Sequence, residues 1–353
     1  MTLSARPRVG VVGAGAIAHA HVPVWLALGA EVRVYSRGGG HAFAKQYGIE
    51  VVTDAADIFE FAEIVDILTP TSTHAEIAFA AIARGCHVVC EKPLARTVAE
   101  AEAVVAAAEE RGVRLFPAHV VRYFPEYVAA REAIRAKTVG DLVACRFLRQ
   151  SAAPTSDWFF SEQISGGIIM DQMIHDLDQA LWLAGPATSV YARATPDLAI
   201  RRMGVAHVSI RHESGVLSHA QGLWGASTLP FAYSCDLSGT AGVVRFDSAR
   251  TGANRTTSGT GGDHSNGIPR SHGVQAASNT GGDYLPVPTA GENPFTLQIT
   301  DFLTSLQLDV PARVTPDDGV RAVALAVAAR ESLLAGQPVV LAVTGSGSVA
   351  DMV

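Results

Sequence analysis

The chain has 353 residues, enough for about two domains, and 48% of them are apolar. Its formal net charge is −7 with no lysine or arginine cluster, which argues against nucleic acid as a partner. No apolar run reaches the roughly 18 residues of a membrane span, and the start, MTLSARPRVGVVGAG, lacks a secretory pattern.

In chain order, RVGVVG (8–13) is short and almost wholly apolar, the pattern of a strand buried on both faces. A glycine turn and a helical stretch follow, then EVRVYS and a second helical stretch around 42–47. IVDILTP, HAEIAFAAIARG, CHVVCEKP and TVAEAEAVVAAAEERG continue as strand, helix, strand and helix, with glycine stopping each helix. This alternation to about residue 120 predicts a doubly wound parallel sheet. After Pro117 the pattern changes. PEYVAAREAIRAK reads as a connecting helix, LVACRFLRQ as a strand, and SGGIIMDQMIHDLDQALWLAG (165–185) as one helix. SVYARAT, AHVSIRH, GVLSHAQGLW, FAYSCDLSG and GVVRFD are closely spaced strand-like runs, which predicts an antiparallel sheet. Residues 248–283, rich in Gly, Ser, Thr and Asn, read as a long loop or weak edge structure. PFTLQITDFLTSL and DGVRAVALAVAARESLLAG read as amphipathic helices, and PVVLAV is a terminal apolar run.

The four cysteines, Cys86, Cys90, Cys145 and Cys235, form no CxxC pair and read as reduced core residues of a cytoplasmic protein. Zinc at Cys86, His87 and Cys90 is disfavoured, because neighbours on a strand point to opposite faces.

GVVGAGAIAHAH fits G-x-G-x-x-A through Gly13, Gly15 and Ala18. It follows a strand and opens a helix, the context a dinucleotide site requires. Gly13 permits the turn, Gly15 leaves room for a pyrophosphate, and Ala18 lets the helix approach the sheet. Ala16 and Ile17 complete the turn whose N–H groups and helix dipole favour phosphate. The second strand ends in VYSR, with Ser36 where an acid would read the ribose of NAD, and Arg37 after it. Serine removes the repulsion toward a 2′-phosphate and arginine can pair with it, so NADP is expected over NAD.

VVCEKPLA places Glu91 and Lys92 at the carboxyl edge of the sheet, where ligands bind, with a cis bond open to Pro93. Lys92 can hold a substrate oxygen and stabilise alkoxide charge. The chain resembles the glucose–fructose oxidoreductase, inositol dehydrogenase and MocA family through GAGAIA, VDILTPTSTHAEIA, GCHVVCEKPLA, HVVRYFPEY and SGGIIMDQMIHDLD, in the family's order. The resemblance implies an α/β fold: an N-terminal Rossmann domain (1–122) and a C-terminal α/β domain (123–353) with an open, mostly antiparallel sheet. It also implies oxidation or reduction of sugars, polyols or their derivatives with NAD(P), and dimers or tetramers formed through the open sheet face. By motif match, Lys92, Asp171 and His175 take the catalytic positions, and Thr69, Pro70, Thr71 and His74 the loop beside the cofactor. Ser36 departs from the NAD-using pattern.

A helical projection of residues 165–185 sets Met170, Met173, Ile174, Leu177 and Leu181 on a core stripe. Gln172, Asp176 and Gln179 fall opposite and are expected in solvent. Asp171, His175, Asp178 and Trp182 lie between, on a line suited to a cleft wall. Asp178 is open to helix support or substrate binding. Too few ligands accompany Asp171 and His175 for a metal centre, so His175 is the expected proton acceptor, and Asp171 orients it or binds a neighbouring hydroxyl. His119, Arg122, Trp158 and Phe159 are further candidates for the substrate pocket, with hinge support the alternative for Arg122 and packing under a loop the alternative for Trp158 and Phe159. His207, His212 and His219 read as structural or exposed. Two rivals stand beside this reading: a cofactor-sensing regulator on the same fold, and a reductase of dihydrodiols, tetrapyrroles or imines.

Overall fold

Six short strands, β1 (Arg8–Val12), β2 (Glu31–Tyr35), β3 (Glu50–Val51), β4 (Ile64–Ile67), β5 (His87–Glu91) and β6 (Leu115–Ala118), form a parallel sheet in the order β3-β2-β1-β4-β5-β6. This is seen in a computed structural model describing residues 3–196, 201–249, 255–258, 272–275, 287–290 and 293–341. β4 and β5 are buried throughout, as strands covered on both faces must be. The crossovers are helical: α1 (Ala18–Ala27), α2 (His41–Tyr47), α3 (Ala55–Phe61), α4 (His74–Ala83) and α5 (Val98–Arg111). Thr97 and Glu100 form a reciprocal capping box at the start of α5, and Gly112 at φ 70° ends it. The winding reverses between β1 and β4, which opens a crevice at their carboxyl ends.

The chain then runs through α6 (Pro125–Arg135), β7 (Leu142–Ala152), α7 (Gly167–Asp171), α8 (Ile174–Ala184), β8 (Ala187–Ala194), β9 (Gly204–His212), β10 (Leu217–Gly225), β11 (Ala232–Gly239) and β12 (Gly242–Asp247). With β13 (Arg255–Ser258) and β16 (Val339–Val340), the strands make an eight-stranded sheet in the order β13-β12-β11-β7-β10-β9-β8-β16. Among the described strands of this sheet only β7 and β10 pair in parallel; the others are antiparallel, as expected. β7 and β10 alternate buried and more exposed residues, the signature of a sheet covered on one face. Within the stretch 248–283, β13 extends the sheet edge and β14 (His272–Gln275) pairs with β15 (Val287–Ala290). Residues 250–254, 259–271 and 276–283 of that stretch lie outside the described residues, as do 342 and 343 of PVVLAV.

The last helices, α9 (Pro294–Leu308) and α10 (Pro316–Ala335), return to the first sheet. Phe302 stacks on Phe116 with centroids 4.8 Å apart. A Cβ on Gly319 would lie 2.7 Å from Pro117 Cγ, so only glycine lets α10 approach β6 this closely.

Two expectations for 165–185 are corrected. The stretch is not one helix: α7 ends at Asp171 and α8 starts at Ile174. Met173 N donates to Ile168 O at 2.9 Å, a widened i→i−5 turn. The kink is seated on β10, where a Cβ on Gly222 would lie 2.4 Å from Met173 Cγ. Nor do Gln172, Asp176 and Gln179 meet water; they are 1%, 1% and 0% exposed. Their side of the helix pair is covered by the large sheet. Arg149 of β7, itself buried, forks onto Asp176 with two 2.9 Å hydrogen bonds, and Gln172 donates to Ser151 Oγ at 3.0 Å.

The Arg149–Asp176 pair makes the two charges tolerable without making them a source of stability. Asp176→Ala is expected to destabilise the protein by about 3–5 kcal/mol, because Arg149 is left buried and unpaired. Arg149→Met with Asp176→Leu is expected to restore most of that loss, as measured by denaturant unfolding.

Candidate active site

The glycine turn sits at the crevice between β1 and β4. Gly13 has φ 114°, and a Cβ there would lie 2.5 Å from Leu68 O, so the turn presses directly on the end of β4. Gly15 is the opposite case: a Cβ would meet nothing within 4 Å. Gly15 and Ala16 are exposed and Ile17 half-buried at the start of α1, leaving an open cradle of backbone. That cradle fits a pyrophosphate at a helix N-terminus. Gly13 N donates to Tyr35 O at 2.9 Å, which draws the end of β2 to the same place. Ser36 is half-buried there, with its Cβ 3.5 Å from the position of a Cβ on Gly40; Arg37 follows it, exposed. Neither carries negative charge toward the cradle.

The loop after β4 closes the other side. Thr73 Oγ1 donates to Thr69 Oγ1 at 2.8 Å and reaches Pro70 O at 2.9 Å, and Thr71 is buried. The buried His74 ring lies 2.8 Å from Thr69 O and 2.7 Å from Pro93 O. It ties this loop to the lysine loop, and burial holds its pKa below the ordinary imidazole value.

The Lys92–Pro93 peptide is cis. Lys92 Nζ donates to Asp171 O at 2.8 Å and lies 3.5 Å from Asp171 Oδ1, a contact between residues 79 positions apart. The two side chains are 10% and 5% exposed, so the ion pair is largely screened from water. Burial pushes the Asp171 carboxyl up, against the opposing pull of Lys92. His175 is buried, and neither ring nitrogen has a hydrogen-bond partner; Asp171 Oδ2 has none either. Buried polar atoms are normally satisfied, so these orphans are suited to a ligand. Burial, then the positive charges of Lys92 and Arg149, hold the His175 pKa well below the imidazole value. His175 is therefore a neutral ring, able to accept a proton.

The other candidates divide. His119 is buried, with both ring nitrogens unbonded and Nδ1 3.8 Å from Asp178 Oδ2. Arg122 is engaged by carboxylates: Nε and Nη2 clasp Asp178 at 2.9 and 2.7 Å, and Nη1 reaches Asp318 at 2.9 Å. Asp178 thus supports the helix. Trp158 and Phe159 stack at 3.6 Å in the turn Asp157–Phe160, against which α7 packs. His212 is structural, bonded to Gly185 O and Ser218, while His207 and His219 stack across β9 and β10. All four cysteines are buried and free. Among the described residues no three His, Cys, Asp or Glu side chains gather as a metal site, and no helix is long and apolar enough to cross a membrane.

One group escaped the sequence reading. His21 of α1 is fully buried, with Nδ1 3.0 Å from Asp66 Oδ2 and Nε2 3.3 Å from Glu91 Oε1. Trp25 Nε1 also donates to Asp66, at 2.7 Å, and Glu91 Oε2 accepts the Lys92 N–H at 3.1 Å. Burial opposes a charge on His21, but the two carboxylates outweigh it and push the ring up to about 10. The signal was an aspartate inside the apolar run IVDIL.

Comparison with known proteins places the family and the fold. A family model for an oxidoreductase family with an NAD-binding Rossmann fold matches residues 7–119, and the GFO/IDH/MocA C-terminal domain matches 127–245. Levoglucosan dehydrogenase of Pseudarthrobacter phenanthrenivorans is 36% identical over 158 residues, 42% of this chain and 40% of that protein. Inositol 2-dehydrogenase 1 of Saccharopolyspora erythraea is 33% identical over 186 residues, 50% of this chain and 54% of that protein. The chain thus spans about half the length of the curated relatives it matches. A levoglucosan dehydrogenase solved with NADH and L-sorbose shares the fold, with a TM-score of 0.80 over 97% of this chain and 100% of that one, at 21% identity. With both of its domains matched in order, the chain belongs to the GFO/IDH/MocA family of oxidoreductases, built on an NAD-binding Rossmann fold.

Proposed function

We propose that this protein is an NAD(P)-dependent dehydrogenase that interconverts a secondary alcohol and a ketone on a sugar, a polyol or a derivative. One observation carries the reading: Lys92 Nζ meets Asp171 at the carboxyl edge of the parallel sheet, beside a neutral, unbonded His175. The relatives that act on levoglucosan and inositol support the substrate class.

The backbone of Gly13, Gly15, Ala16 and Ile17 would hold the pyrophosphate, and Thr69, Pro70, Thr71, His74, Glu91 and Lys92 would flank the nicotinamide side. When bound, the nicotinamide supplies a two-electron acceptor or donor. In the oxidation direction Lys92 offers its ammonium to the substrate oxygen and stabilises alkoxide character. His175 takes the hydroxyl proton on a ring nitrogen. Asp171 aims Lys92 through its carbonyl and leaves Oδ2 for a neighbouring hydroxyl. His119 supplies a further ring nitrogen for a hydroxyl, and Trp158 and Phe159 form an apolar wall. The burial of these groups excludes water and strengthens each charge. For reduction, the proton returns from His175 to the oxygen.

Ser36 and Arg37 favour NADP: a small hydroxyl replaces a carboxylate, and an exposed guanidinium is free to pair with a 2′-phosphate. A homodimer or homotetramer through the open face of the large sheet is supported by Leu148, Leu217 and Leu223 on that face. Four buried, free cysteines support a reducing, cytoplasmic setting.

A screen of levoglucosan, inositols and related sugars with both cofactors, followed by nicotinamide absorbance, tests the reading; no turnover on any of them would sink it. His175→Ala and Lys92→Ala are each expected to lower kcat by about 10²–10⁴-fold with cofactor Kd little changed. Turnover should need neutral His175, so the acid limb of kcat/KM should lie below pH 6.5, the unperturbed imidazole value. A limb at or above that value would remove His175 as the base. Comparison of kcat/KM is expected to favour NADP over NAD, and Arg37→Ala to narrow the difference; a clear NAD preference would overturn the assignment.

A further inference from the structure

His21 lies outside both the phosphate cradle and the substrate groups, yet it is two bonds of contact from Lys92. We propose that His21 is a positioning residue for Lys92, acting through Glu91. This rests on the function proposed for Lys92 above.

β4 and β5 lie side by side in the parallel sheet. These parallel neighbours each place a carboxylate toward α1: Asp66 in the interior of β4 and Glu91 at the end of β5. Both are buried, and two buried carboxylates repel unless a cation lies between them. His21 is that cation: Nδ1 is hydrogen-bonded to Asp66 Oδ2 at 3.0 Å, and Nε2 forms an ion pair with Glu91 Oε1 at 3.3 Å. Trp25 gives Asp66 a second donor and so fixes that end of the chain. At the other end, the free oxygen of Glu91 accepts the Lys92 backbone N–H at 3.1 Å. The facing charged or titratable groups are Asp66 on β4, Glu91 on β5, and Lys92 and His74 beyond Glu91.

Stability alone does not account for this group. Buried ion triads are often matched or bettered by apolar packing, and the α1 neighbours Ala18, Val22 and Trp25 are already buried there. What the triad adds is a defined orientation for the backbone that carries Lys92. Without the His21 charge, Glu91 loses the cation that stands between it and Asp66, and the lysine loop loses its anchor on the strand side. Lys92 would then reach Asp171 less often.

The test uses a convenient property of the chain: it has three lysines, Lys45, Lys92 and Lys137. Lys45 and Lys137 are exposed and serve as internal references for acetylation followed by mass spectrometry. His21→Gln is expected to raise the acetylation rate of Lys92 several-fold relative to the other two. Its kcat, on the best alcohol from the screen, should fall about 10- to 100-fold, the range for a displaced catalytic group. Cofactor Kd should stay within about threefold, and His21→Gln should add nothing in a Lys92→Ala background. If His21→Gln does not fold, the charge-balanced His21→Gln/Asp66→Asn replaces it in the same cycle. Unchanged Lys92 acetylation, or kcat losses that multiply in the double variant, would overturn the inference. If Lys92→Ala alone leaves turnover intact, the proposed function fails instead, and acetylation still decides whether His21 holds the side chain.

Discussion

The rotation of α8 is fixed by two buried arginines, and the rest of the site depends on it. Arg149 forks onto Asp176 from the large sheet, and Arg122 clasps Asp178 from the turn after β6. The two aspartates are two residues apart, so they leave the helix on different sides and together prevent it from turning. His175 is the neighbour of one and three residues before the other, which fixes its direction. Arg122 also reaches Asp318 at the start of α10, so the same arginine joins the turn after β6 to α8 and α10. A site assembled from two domains gains the rigidity that close positioning of reacting groups requires.

A second constraint meets the first at Lys92. The lysine is held from below by the Glu91–His21–Asp66 chain within the parallel sheet, and from across the cleft by Asp171. Its ammonium therefore sits where both domains agree on its position. The widened turn between α7 and α8 contributes too, because it separates the frame of Asp171 from that of His175. Gly222 makes that turn possible by leaving bare backbone under Met173.

Much of this was legible in the sequence. The apolar strands, the glycine turn and the capped α5 each follow from local chemistry, and each appeared where the pattern placed it. β3 was not singled out, since two residues carry no periodic signal. Lys92, Asp171 and His175 were legible from motif and helical spacing, and the structure brings Lys92 against Asp171. The failures of burial share one physical cause. A helical projection assigns charged residues to solvent because burying an unpaired charge is costly. It cannot see Arg149, 27 residues earlier on another element, which removes that cost for Asp176. His21 escaped for the same reason: its partners stand 45 and 70 residues away on two strands, and only the fold brings them together.

The most direct measurement of the account is a crystal structure of the protein with nicotinamide cofactor and a bound polyol. The account predicts one substrate hydroxyl within about 2.6–3.2 Å of both Lys92 Nζ and a His175 ring nitrogen, with Arg122 still on Asp178. A substrate whose reacting carbon faces the nicotinamide while its oxygen meets neither Lys92 nor His175 would contradict it.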